Sequence, residues 1–163
     1  MIKPGDALPD ATLFESTAFG EACPMPPQKV NVREAAAGKK IVIFGLPGAF
    51  TPTCSAKHVP GYVAHLDALK AKGVDEVWCL SVNDGYVMAQ WGKDQGALGK
   101  IRFLGDGQAE LAKKLGLDVE IPGMGVRMRR SSLLVDDGVV KQVNVEEPGK
   151  FEVSSAEAMV AQL

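Results

Sequence analysis

Residues 40–62 read Lys40-Ile-Val-Ile-Phe-Gly-Leu-Pro-Gly-Ala-Phe-Thr-Pro-Thr-Cys-Ser-Ala-Lys-His-Val-Pro-Gly-Tyr62. The first part is short, apolar and rich in β-branched residues, which predicts a buried strand over 40–46. Beyond it, Val59, Tyr62, Val63, Leu66 and Leu69 recur at spacings of three and four, so a helix over 53–72 follows. Thr51 suits an N-cap and Pro52 the first helical position. Cys54 then falls in the helix's first turn. Free amides and the helix dipole put partial positive charge there, and a thiolate, the nucleophilic form of cysteine, is stabilised by it. The plainer reading is an inert core thiol, since cysteine is often buried. Pro60-Gly61 inside the helix predicts a kink.

Working outward, the remaining segments alternate. Residues 1–40 are dense in turn formers (Pro4-Gly5, Pro9-Asp10, Pro26-Pro27, Gly38), with short strands over 11–15 and 28–31. Strands follow at 76–82, 100–104, 131–135 and 139–145, the last two joined by Asp136-Asp137-Gly138, a hairpin signal. Helices are expected over 84–96 and 107–115, then a loop over 116–125. Ser154 or Ser155 caps a final helix, with Glu157 placed for a capping box. This order predicts an α/β fold with a mixed, largely parallel sheet covered by helices. No repeat or linker interrupts it, so residues 1–163 read as a single domain. Cys54 follows the carboxyl end of its strand, where open α/β sheets collect their sites.

Composition narrows the function classes. The 163 residues are 46% hydrophobic and 23% charged, with a formal net charge of −2. That balance gives no reason to expect nucleic acid or an anionic membrane as partner. The longest apolar run, residues 41–50, is too short to span a bilayer. The N-terminus lacks an apolar signal core, and three cysteines do not suggest a secreted disulfide framework. A reducing, cytoplasmic setting is expected. The final Ala-Gln-Leu is too short a string to count as a peroxisomal address.

Pro47, Thr51 and Cys54 reproduce the Pro-x-x-x-Thr/Ser-x-x-Cys pattern of peroxiredoxins. The longer string Pro-Gly-Ala-Phe-Thr-Pro-Thr-Cys-Ser-x-x-His-x-Pro-Gly-Tyr resembles their type II, or peroxiredoxin-5-like, branch. The resemblance extends over nearly the whole chain. It implies a thioredoxin-like fold with an N-terminal extension and a thiol peroxidase acting on hydrogen peroxide and alkyl hydroperoxides. It further implies electrons from glutathione, glutaredoxin or thioredoxin, and a homodimer. No motif calls for a metal, haem, flavin or other cofactor.

In such a reaction a thiolate displaces one peroxide oxygen, leaving a sulfenic acid. Charge spreads over sulfur and both oxygens, so the site needs prearranged donors. Thr51 and the amides of Thr53 and Cys54 are candidates, and Pro47 would wall the pocket. A cation is expected beside Cys54, from Arg102, Arg127, Arg129 or Arg130. Spacing leaves Arg127 and Arg129 open; the resemblance of Gly123-Met-Gly-Val-Arg-Met-Arg-Arg-Ser-Ser132 to the family's arginine segment implies Arg127. It also makes Cys79 a possible resolving cysteine, against the alternative of a small core residue. No cysteine stands near the C-terminus for that role. Cys23 reads as a loop thiol.

Other classes fit less well. His58, four residues after Cys54, raises a Cys–His hydrolase or, with His65, a metal site. Neither has enough further groups, so a structural hydrogen bond or a contribution to the thiolate's field is expected of His58. A disulfide oxidoreductase wants Cys-x-x-Cys, and Cys54-Ser-Ala-Lys57 lacks the second thiol. A peroxide-sensing switch or holdase using Cys54 is the remaining alternative.

Overall fold

Two apolar runs, Ile41–Leu46 and Val77–Leu80, make strands that are buried on both faces. Such runs belong in the middle of a sheet with helices on either side. The computed structural model describes residues 1–163 and has that arrangement. In chain order the elements are β1 (Thr12–Glu15), β2 (Gln28–Asn31), α1 (Val32–Ala36), β3 (Lys40–Gly45), a π-turn (Cys54–His58), α2 (Val59–Ala64) and α3 (Leu66–Ala71). They continue with β4 (Glu76–Ser81), α4 (Gly85–Asp94), β5 (Arg102–Gly105), α5 (Glu110–Leu115), β6 (Asp118–Ile121) and β7 (Gly125–Met128). Last come β8 (Ser131–Asp136), β9 (Val139–Val145) and α6 (Ala156–Gln162).

The main sheet has seven strands in the order β2-β1-β5-β4-β3-β8-β9. The central trio β5-β4-β3 is parallel, and the pairs outside it are antiparallel. As a result β2, β3, β4, β5 and β9 run one way while β1 and β8 run the other. The fold is thioredoxin-like, a mixed α/β sheet flanked by helices, with the N-terminal segment added at one edge as β1 and β2.

Alternation along the strands divides the core in two. Ile41, Ile43, Trp78 and Leu80 face α1 and α5 residues such as Ala36, Leu111 and Leu115. Val42, Phe44, Val77 and Cys79 face the other side, against Val59, Tyr62, Leu66, Leu69, Met88 and Trp91. Each large apolar side chain buried there contributes about 1.5–3 kcal/mol of transfer free energy. Cys54 belongs to this second cluster.

Several boundaries differ from the expectation. Asp84 caps α4 through Val87 N–H, close to the helix start expected at 84. Of the two candidates Ser154 and Ser155 it is Ser155 that caps α6, through Ala158 N–H, so the capping box expected with Glu157 does not form. The helix expected from 107 starts at Glu110, because Ala109 takes a left-handed conformation and Asp106 accepts from Leu111 and Ala112 N–H. The loop expected over 116–125 instead contributes to a small two-stranded sheet, β6 with β7. Four-residue strands punctuated by Gly116, Pro122-Gly123 and Gly125 carry too little periodicity to be seen. The helix after Cys54 is perturbed ahead of Pro60: residues 54–58 form a π-turn with Val59 N–H bonded to Cys54 C=O. A second break comes at His65. No helix is long and apolar enough to cross a membrane.

Candidate active site

β3 ends at Gly45, and the loop Leu46–Phe50 carries the chain over the carboxyl ends of the parallel strands. Phe50 sits at φ 60, a left-handed conformation that costs a non-glycine residue about 1–2 kcal/mol. Ala49 N–H, next to it, is tied to Asn83 Oδ1 at 3.0 Å, so the loop is anchored to the turn after β4.

The expected cap by Thr51 does not form. Its hydroxyl turns back and donates to Gly48 C=O at 2.6 Å. With the cap oxygen turned away, the amides of Thr53 and Cys54 donate to no backbone or side-chain acceptor. The first turn of the helix therefore keeps free donors beside the sulfur. Thr51 Oγ1, its hydrogen engaged, is left as an acceptor.

The cation at Cys54 is Arg130. Its Nη2 donates to Sγ at 3.2 Å and its Nη1 to His58 Nδ1 at 3.0 Å. The geometric position expected for Arg127 is thus filled by Arg130, the residue that enters β8. In β7, Arg127 Nη1 donates to Pro47 C=O and Val82 C=O, each at 3.3 Å, and its Nε donates to Met124 C=O at 3.1 Å. Arg129 Nη2 donates to Glu146 C=O. Arg102 lies at the amino end of β5, away from the site, paired with Glu15 and Glu76. Spacing could not separate these arginines, because the irregular step between β7 and β8 decides which one turns inward.

His58 is fully buried, and its contacts fix its tautomer. Nε2 lies 3.1 Å from Ser154 C=O, a pure acceptor, so Nε2 carries the hydrogen and Nδ1 accepts from Arg130. Burial, then the charge of Arg130, depresses its pKa to about 3. Phe44, Tyr62 and Phe151 pack around the ring, with Phe44 and Tyr62 stacked at 4.1 Å. Tyr62 Oη also donates to Ser154 C=O. Ser154 is held in turn by Glu146, whose Oε2 accepts from the Ser154 amide and hydroxyl and from Glu152 N–H. Burial opposes ionisation of that carboxyl, but these donors outweigh it and hold its pKa below the usual value. Sequence reasoning missed Glu146 altogether and read Ser154 only as a candidate helix cap; both stand some hundred residues from Cys54, and no motif links them to it. Their only signal was an acidic residue just past an apolar strand.

Cys54 has no exposed surface, in contrast to the open thiol that a nucleophile would suggest. Its sequence neighbour Thr53 and its partner Arg130, with Pro47 and Arg129, line a cavity of about 260 Å³ that Val119 and Ile121 of β6 also wall and that Cys54 itself does not line. Cys79 is buried mid-strand between Phe44 of β3 and Phe103 of β5. Burial, reinforced by the proximity of Cys54, pushes its thiol well above the ordinary value. All three cysteines are free, and Cys23 is exposed in the N-terminal segment. His65 bonds Gly61 C=O one helical turn back and makes no hydrogen bond to Cys54, His58 or Arg130.

The arrangement can hold a sulfur anion against a guanidinium, offer two amide donors and one hydroxyl acceptor to a small polar molecule, and shield the sulfur from bulk water. Comparison with known proteins agrees with that chemistry. The Redoxin family profile matches residues 3–160. Peroxiredoxin-2B of Arabidopsis thaliana is 46% identical over 164 residues, covering 99% of this chain and 98% of its own length. A Burkholderia cenocepacia structure described as a thioredoxin reductase superimposes with a TM-score of 0.94 at 54% identity, covering 100% of this chain and 98% of its own. Reduced Prx3 of Vibrio vulnificus in complex with H2O2 superimposes with a TM-score of 0.91 at 45% identity, covering 99% of each chain.

Proposed function

The chain belongs to the redoxin family as a peroxiredoxin, a thiol-dependent peroxidase, and on that premise we propose that Cys54 is its peroxidatic residue and Arg130 the cation that serves it. The observation carrying this reading is the 3.2 Å contact from Arg130 Nη2 to Cys54 Sγ. A guanidinium stays charged at all working pH values and lowers the energy of negative charge on sulfur. The anchored loop and buried helix start fix both partners before substrate arrives, and such preorganisation is the largest single contribution to many rate enhancements.

The Cys54 thiolate lone pair attacks the terminal oxygen of the hydroperoxide. The S–O bond forms as the O–O bond breaks, and the leaving hydroxide or alkoxide takes a proton from solvent. Sulfur is oxidised to sulfenic acid and the peroxide is reduced to water or alcohol. Arg130 and the amides of Thr53 and Cys54 donate to the oxygens as charge develops on them. Thr51 Oγ1 accepts from the peroxide hydrogen, so it aligns the O–O bond with sulfur rather than donating to it. Pro47 walls the pocket and limits water.

Recycling needs a second thiol. Cys79 is a poor candidate, since its thiol is buried mid-strand and its ionisation is opposed. We assign resolution to an external thiol, glutathione with glutaredoxin or thioredoxin, which attacks the sulfenic sulfur and releases water. A second thiol then reduces the mixed disulfide. A homodimer is the expected assembly, with exposed Phe50 beside Trp91, and Tyr86 on α4, available for a second copy. The cytoplasm is the proposed compartment. Cys79→Ala tests the recycling step: steady peroxide turnover with each reductant should stay within twofold of wild type. Loss of thioredoxin-supported turnover, with sulfenic acid formation intact, would instead make Cys79 the resolving residue. A single oxidation with no turnover under any reductant would favour a peroxide sensor.

A further inference from the structure

Arg127 lies near the site without touching its sulfur. Its guanidinium is not in any of the three ion pairs of the chain, and it spends its donors on backbone carbonyls alone. Those carbonyls come from three separate segments: Pro47 in the loop before Cys54, Val82 after β4, and Met124 in the β6–β7 turn. The loop and the β4 turn are joined a second time through Ala49 N–H and Asn83 Oδ1, an atom that also accepts from Ser81 Oγ. Gly48 lies directly against the clamp, since a Cβ there would sit 3.0 Å from Arg127 Nη1 and 3.3 Å from Thr51 Cγ2. Across the hairpin, Arg127 is the register partner of Val119, which walls the cavity.

We propose that Arg127 is a positioning residue for peroxide reduction: it clamps the β6–β7 hairpin and the turn after β4 onto Pro47, and thereby sets the orientation of Pro47, Thr51 and the cavity wall relative to Cys54. This rests on the assignment of Cys54 and Thr51 to the peroxide site. A carbonyl held by a charged donor cannot rotate freely, and the Pro47 peptide plane precedes Gly48, whose carbonyl takes the Thr51 hydrogen. Releasing the clamp loosens the alignment of the O–O bond while leaving Arg130 on the sulfur. Misplacement of a reacting group by about 1 Å can cost on the order of 100-fold in rate.

The test separates peroxide alignment from thiolate reactivity. Stopped-flow measurement of hydrogen peroxide with Cys54, and of iodoacetamide alkylation of the same thiol, would be made on wild type, Arg127→Met and Arg127→Lys. Alkylation needs the thiolate but not the peroxide geometry. The proposal expects at least a tenfold loss of the peroxide rate constant in Arg127→Met with alkylation within threefold, and partial recovery in Arg127→Lys. A peroxide loss below tenfold overturns it. Parallel loss of both rates also overturns it, since Arg127 would then act through the charge at the sulfur. If Arg127→Met does not fold, Arg127→Lys is judged alone: a peroxide loss of threefold or more with alkylation within twofold supports the clamp, and any smaller peroxide loss or a parallel fall in alkylation refutes it. A wild-type protein that alkylates at Cys54 but does not react with peroxide refutes the peroxidatic assignment instead.

Discussion

Replacing Arg130 by methionine keeps much of the side chain's volume and removes both hydrogen bonds of its fork. One of these, at 3.2 Å to Cys54 Sγ, is in the proposed reaction the donor facing charge that grows onto the peroxide oxygens. Removing one donor of that kind costs roughly 100- to 1,000-fold in rate, about 2.7–4 kcal/mol. The other, at 3.0 Å to His58 Nδ1, leaves a buried acceptor unsatisfied, which costs about 1–3 kcal/mol of stability. The two losses read out separately. Stopped-flow oxidation of Cys54 by hydrogen peroxide reports the first, and urea unfolding at neutral pH reports the second. Arg130→Lys should restore charge but not the fork, because one ammonium does not reach both atoms with the same geometry, so it recovers only part of the rate. A loss below fivefold in Arg130→Met, or a larger loss at the oxidation step in Arg127→Met than in Arg130→Met, would refute the assignment of the cation.

Further tests follow from burial and close packing. The folded state holds His58 neutral down to a pKa of about 3, whereas the unfolded chain protonates it below about 6.5. Stability from His58 is therefore complete above pH 6.5 and lost as pH falls toward 3. Linkage gives a loss of about 2 kcal/mol between pH 7 and 5, which a His58→Gln variant should lack in matched denaturation curves; equal slopes would contradict it. Glu146 adds its own loss in the same direction, but only as pH falls below its ordinary value of 4.5. A Cβ at Gly105 would come within 2.7 Å of Asn83 C=O and 2.9 Å of Gly85 N, both backbone atoms. Gly105→Ala should therefore lose about 1–3 kcal/mol and several degrees of Tm. Gly61→Ala, in α2 with nothing within 4 Å of the new methyl, should gain about 0.5–1 kcal/mol by the same thermal assay.

The sequence carried the parts of this molecule that depend on local pattern. Ile41–Leu46 and Val77–Leu80 announced the central strands because both faces are buried. The starts of α4 and α6 were legible to within a residue because a cap is a local bond, but the sequence left Ser154 and Ser155 open and the structure caps α6 with Ser155. The placement of Cys54 at the start of a helical segment after β3 was legible, and the proposed role rests on it. The arginine was not, because the Arg127-Met-Arg-Arg130 run offers three cations, and their directions depend on where β7 stops pairing with β6 and β8 starts pairing with β3. The behaviour of Thr51 was hidden for a similar reason. Whether its hydroxyl caps the helix or bonds Gly48 depends on a loop shape set by Asn83 and Arg127, which lie far away in sequence. The link from Glu146 through Ser154 and His58 to Arg130 joins four separate segments, and no single window of sequence contains it.

The most direct check on the account is intact-mass analysis with peptide mapping after one equivalent of hydrogen peroxide, comparing wild type with Cys54→Ser. Wild type should gain one oxygen atom, located at Cys54, and convert it to a mixed disulfide when glutathione is added, while Cys54→Ser should stay unmodified over the same interval. Oxygen appearing first on exposed Cys23, or equal peroxide consumption by the Cys54→Ser variant, would contradict the placement of the chemistry at this sulfur.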